Sequence, residues 1–103
     1  MIEERAEILK SIAHPTRITI IETLRAGEKC VCDIIEEIGM EQSNTSQHLS
    51  ILKKSGILNC RKEGARVMYW VCHPEIHDMM KILDGILLSN AEKKSKLLQR
   101  VRK

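Results

Sequence analysis

Apolar residues recur along this chain first at helical spacing, then at alternate positions, then at helical spacing again. In EERAEILKSIA, Ala6, Leu9, Ile12 and Ala13 share one face. His14-Pro15 ends that run, because the residue before a proline is pushed out of the helical region. Pro15 suits the first turn of a second helix, PTRITIIETLRA, in which Ile18, Ile21 and Leu24, or Ile20 and Leu24, meet a core, and Gly27 closes it. A third helix is expected from about Cys30 to Ile38 with Gly39 beyond its end, and a fourth from about Ser43 through SNTSQHLSILKK to Gly56. The period then changes: ILNCRK and RVMYWVC, rich in β-branched and aromatic residues, predict a β-hairpin about a Glu63-Gly64 turn. After Pro74, EIHDMMKILDGILLSN returns to helical spacing, and its stripe of Ile76, Met79 or Met80, Leu83, Ile86 and Leu87 is wide enough to need a partner. The fold expected is mainly α with a small β-hairpin, and the partner expected is a second copy.

Composition narrows this further. With 103 residues the chain is one small domain with a modest core, to which dimerisation adds buried surface. No apolar run is long enough to span a bilayer, and MIEERAEILK is already amphipathic, so a soluble, cytoplasmic protein with no membrane partner is expected. Four cysteines, Cys30, Cys32, Cys60 and Cys72, in a helix-rich chain of a reducing compartment point to metal binding or redox chemistry rather than bridges. The net charge of +3 hides a basic tail: residues 91–103 carry six Lys/Arg against one Glu, leaving residues 1–90 at −2. Residues 1–90 are therefore read as the folded unit and 91–103 as a tail. Within that unit residues 22–41 carry net −4 and residues 42–66 net +4, a local contrast that suits a surface aimed at phosphates.

The third and fourth helices, joined by MEQS, make a helix-turn-helix candidate, a motif whose second helix lies in the major groove of duplex DNA. With Leu49 and Leu52 inward and Ser46 on their side, Ser43, Asn44, Thr45, Gln47 and His48 are expected to face base edges, and Lys53 and Lys54 to meet phosphates. The hairpin tip RKEGAR sets Arg61, Lys62 and Arg66 where a wing touches the backbone. One Tyr and one Trp, adjacent on one strand, are too few for a single-strand stacking platform. A thiol enzyme lacks support, since there is no Cys-x-x-Cys pair and no Gly-rich nucleotide loop. A dimeric scaffold that never touches DNA stays open as an alternative.

In this order, LKSIAHPTRITIIETL, CVCDI, SNTSQHLSILKKSGIL and RKEGARVMYW resemble the ArsR/SmtB family of winged-helix repressors over about residues 5–90. The resemblance implies a winged helix-turn-helix homodimer joined through its first and last helices, a palindromic DNA operator, and an effector that weakens DNA binding. The basic residue that commonly follows the wing glycine is displaced here by Ala65, with Arg66 next.

GEKCVCDIIEEIG opens the third helix with a cysteine where a cap oxygen would serve better, and Asp33 stands three places on, as in a capping box. The resemblance supplies a reason, since family members that sense arsenite or soft metals carry Cys-Val-Cys-Asp at Cys30 to Asp33. Thiolates select arsenite, Cd, Pb, Zn or Cu(I). Ile35 stands where such arsenite sensors have a third cysteine, and residues 1–29 contain none, so the third ligand is expected from Cys60 or Cys72, of the same chain or across a dimer, or from a non-protein ligand. Two helical residues at this spacing point about 200° apart, so both sulfurs reach one ion only if the first turn is irregular. Redox or persulfide sensing by the same thiols, and inert buried cysteines, stay open. The resemblance also implies a second site, kept by zinc sensors of the family, at His73 and Glu75 near Cys72, His77 and Asp78, but its remaining two ligands would fall near Ile86 and Ser89, which bind metal poorly. His14 is read as structural.

Overall fold

The computed structural model describes residues 1–101, with the side chains of Arg100 and Val101 excepted; Arg102 and Lys103 of the basic tail lie outside the described residues. Five helices and three strands follow in the order α1 (Ile2–Ile12), α2 (Pro15–Thr23), β1 (Lys29–Cys30), α3 (Val31–Ile38), α4 (Gln42–Lys54), β2 (Leu58–Glu63), β3 (Arg66–Val71) and α5 (Glu75–Val101). The strands form one antiparallel sheet in the order β1-β3-β2. β1 escaped the sequence pattern because two residues are too few to show alternation; it is seen only by its pairing, Lys29 with Tyr69 and Cys30 with Met68. The hairpin pairs Glu63 with Arg66, so its loop is Gly64-Ala65 rather than the expected Glu63-Gly64. Gly64 has φ +63°, which a two-residue hairpin loop requires at its first position and which glycine adopts without steric cost.

The core gathers Ile12, Ile20, Ile21, Leu24, Ile34, Leu49, Leu52, Ile57, Leu58, Ile76 and Met80, with Ile18, Val31, Ile38, Tyr69, Val71 and Met79 packed against it. It cements α2, α3 and α4 into a helix-turn-helix and seats the hairpin on their flank. Two faces differ from expectation. On α1 the buried residues are Ser11 and Ile12, whereas Leu9 and Ala13 are exposed. On α5, Ile76 and Met80 bury into the chain's own core, so the stripe left for a partner is Ile82, Leu83, Ile86, Leu87 and Leu88. α5 continues through residue 90 and the first part of the basic tail without a break, 27 residues in all and about 40 Å long. Among the described residues no helix is long and apolar enough to cross a membrane.

Candidate nucleic-acid interface and thiol site

α4 begins one residue earlier than the pattern placed it, with Glu41 at its N-cap. Thr45, Leu49 and Leu52 bury, the i, i+4, i+7 face of one helix, while Ser43, Asn44, Ser46 and Gln47 are exposed and His48 is half-buried. Thr45 is 0% exposed and its hydroxyl donates to the Glu41 carbonyl at 3.1 Å, so it packs in the core instead of facing bases. Ser46 takes the outward place. The signal was present: stepping back four from Leu49 and seven from Leu52 reaches residue 45, whereas spacings of three and six reach 46.

The exposed face of α4 and the wing border a common cleft of about 530 Å³, lined among others by Cys32, Gln42, Ser46 and Arg66. Lys53 is exposed on α4 and Lys62 on the wing strand β2. Lys54 instead lines a separate cleft of about 560 Å³ towards α1, with Lys10 and Arg17. Arg61 is not a free wing cation. Its guanidinium forms a two-pronged ion pair with Glu28, one prong at 2.7 Å, reaches Glu63 at 3.2 Å and lies 5.5 Å from the Trp70 ring centroid. The hydrogen bond from Arg61 holds the Glu28 carboxyl below its usual range, and Glu28 raises Arg61 in turn.

His14 caps α2, its Nδ1 accepting the Thr16 N–H at 3.1 Å. Its ring centroid is 4.5 Å from that of His48, and Arg17 Nη1 is 3.5 Å from His48 Nδ1. Burial, then His14, then Arg17, push the His48 imidazolium below its ordinary range.

The four thiols are unbridged and occupy unlike places. Cys30 is 3% exposed and stands at the N-cap of α3 with extended backbone, its Sγ accepting the Asp33 N–H at 3.3 Å. Cys32 is in the first turn and exposed; Cys60 and Cys72 are half-buried. Cys60 lies opposite Tyr69 on the hairpin; burial first, then the Cys60 thiol, raise the Tyr69 hydroxyl. Among the described residues no three His, Cys, Asp or Glu side chains converge closely enough to hold a metal ion, at α3 or at the start of α5.

The profile of the bacterial regulatory protein, arsR family, matches residues 14–59, which include α2, α3 and α4. An HTH-type transcriptional regulator of Methanocaldococcus jannaschii is 41% identical over 85 residues, covering 82% of this chain and 96% of its own. The chain belongs to the ArsR family. Relatives of this ArsR-family regulator include the arsenical resistance operon repressor of Staphylococcus aureus, 31% identical over 85% of each chain. The solution structure of a homodimeric winged helix-turn-helix DNA-binding domain from Mycobacterium bovis superposes with TM-score 0.78 at 25% identity, over 88% of this chain and 84% of that one. The expected winged helix-turn-helix is therefore the fold observed, and this ArsR-family protein is a transcriptional regulator, not an enzyme.

Proposed function

We propose that this protein is a dimeric repressor that binds a palindromic DNA operator and leaves it when an effector engages the thiols at the start of α3. The observation that carries the DNA reading is the exposed row Ser43, Asn44 and Gln47, with the half-buried His48 at its edge, beside a basic wing. α4 enters the major groove, Gln47 and His48 meet base edges, and Lys53, Lys62 and Arg66 hold phosphates. Ile8 and Leu9 on α1 and Ile82, Leu83, Ile86, Leu87 and Leu88 on α5 leave large apolar side chains exposed in the single chain, a feature of interaction surfaces where such side chains cluster, and the homodimeric Mycobacterium bovis domain supports a second copy as their cover. A twofold pair of reading helices matches half-sites about one helical turn apart. A location in the cytoplasm follows from that target. Salt-dependent mobility shift on duplex tests this reading, and a protein that dimerises without shifting any duplex is the scaffold instead.

The likeness to an arsenical resistance repressor supports a soft metal or metalloid, arsenite, Cd, Pb, Zn or Cu(I), as effector. Within one chain the thiols do not make a closed three-ligand site, since Cys30 is a buried cap and Cys32 faces solvent. What the chain's own residues supply is a lever. Chemistry that draws the Cys30 sulfur away from the Asp33 N–H takes the cap from α3, which supports α4. The exposure of Cys32 favours a second effector class, a thiol oxidant or persulfide. The Cys30→Ser, Cys32→Ser protein should stay on DNA when arsenite, Cd or an oxidant releases the wild type; chelation restores a metal-released protein and a dithiol an oxidised one. Unchanged release from the double variant overturns the thiol reading.

A further inference from the structure

His48 is held by two residues that come from outside the reading helix. Arg17 Nη1 is 3.5 Å from its Nδ1, and a guanidinium can only donate, so this contact is a hydrogen bond only in the tautomer whose Nδ1 carries no proton. The His14 ring packs at 4.5 Å with planes inclined by 39°, and His14 cannot swing away, because its own Nδ1 is committed to the Thr16 N–H as the cap of α2. A neutral imidazole whose Nδ1 accepts has one donor left, Nε2–H. Arg17 keeps this place although its Nε is buried with no partner among the described residues, a cost that an arginine directed into solvent avoids.

We propose that Arg17 is a positioning residue for DNA recognition: through His48 Nδ1 it fixes the neutral Nε2–H tautomer, so that His48 offers the groove one donor and selects an acceptor edge, purine N7, guanine O6 or thymine O4. This rests on the reading of α4 as the base-reading helix. The cytosine and adenine amino groups, which are donors, are rejected at that position. Arg17 and His14 are the ionisable groups that bear on the His48 ring; a proton on Nδ1 would aim a second N–H at the guanidinium and break the contact.

The test uses the full chain and a duplex selected by the wild type from a random-sequence pool. Long-range ¹H–¹⁵N spectra of the free protein should show His48 as the Nε2–H tautomer in the wild type and in Arg17→Lys, which keeps a donor, and a mixture in Arg17→Met. On single base-pair substitutions of the duplex, the wild type should lose about tenfold at one position per half-site. Arg17→Met should flatten that one preference while keeping the others, and Arg17→Lys should retain it. An unchanged preference with an unchanged tautomer in Arg17→Met overturns the proposal. So does an equal loss on every duplex with a shallower salt slope, which makes Arg17 a phosphate contact. If His48→Ala leaves the whole profile intact, the assignment of His48 to base reading falls and the proposal with it; if His48→Ala relaxes one position and Arg17→Met relaxes none, the proposal falls alone. Thermal melts of each variant exclude loss of fold as the cause.

Discussion

The sulfur of Cys30 accepts the backbone N–H of Asp33 at 3.3 Å, so one thiol both starts α3 and ties its first turn. A cap oxygen does the same work better. Cys30→Ser is expected to match the wild type in urea unfolding, whereas Cys30→Ala, which leaves the N–H without an acceptor, should lose about 1 kcal/mol. Equal stabilities of the Ser and Ala proteins would show that the sulfur fills space and caps nothing.

Thr45 and Gln47 should separate stability from readout. Thr45→Val keeps the buried shape and gives up one hydroxyl contact, so it should cost about 1 kcal/mol of stability and leave sequence preference unchanged. Gln47→Ala should leave the melting temperature alone and weaken operator binding by about 1–3 kcal/mol. Loss of sequence preference in Thr45→Val would return that residue to the groove.

On the wing the two adjacent cations should behave differently. Lys62→Ala should weaken binding to all duplexes alike and lower the salt slope by about 1. Arg61→Ala, whose guanidinium is engaged by Glu28 and Glu63, should change the slope less; an equal change in both, measured by titration against salt, argues that DNA displaces the ion pair.

The folded pKa of His48 lies below its ordinary value of 6.5, by burial first and then by His14 and Arg17. Below about pH 6.5 the unfolded chain therefore binds more protons than the folded one, and stability falls as pH falls through that window. Melts between about pH 7.5 and about pH 5.5 should show a steeper loss for the wild type than for His48→Gln; identical slopes would mean that His48 titrates alike in both states.

Leu83, 46% exposed in the single chain, lies in the apolar stripe of α5. Leu83→Asp should yield monomers by sedimentation that no longer retain the operator, while circular dichroism stays helical. A wild-type monomer at micromolar concentration rules out the dimer.

The helices were legible in the sequence because their punctuation is local: Pro15 fits only a first turn, and Gly39, at φ +73°, is the left-handed stop that glycine adopts most easily. The family was legible for a related reason, since it rests on the order of the motifs and not on their contacts. Even the cap at Cys30, with Asp33 three places on, could be read from spacing. Contacts between elements decided the rest. Thr45 was legible as well, four before Leu49 and seven before Leu52 on one face of α4, but that the core covers the face completely is a matter of packing. Glu28 lies 33 residues from Arg61 and Arg17 31 residues from His48, beyond the reach of any periodicity. Ile76 and Met80 share the α5 stripe with Leu83 and Leu87, yet the body of the chain covers the first pair and leaves the second in water. Spacing shows which residues share a face; only the packed chain decides what that face meets.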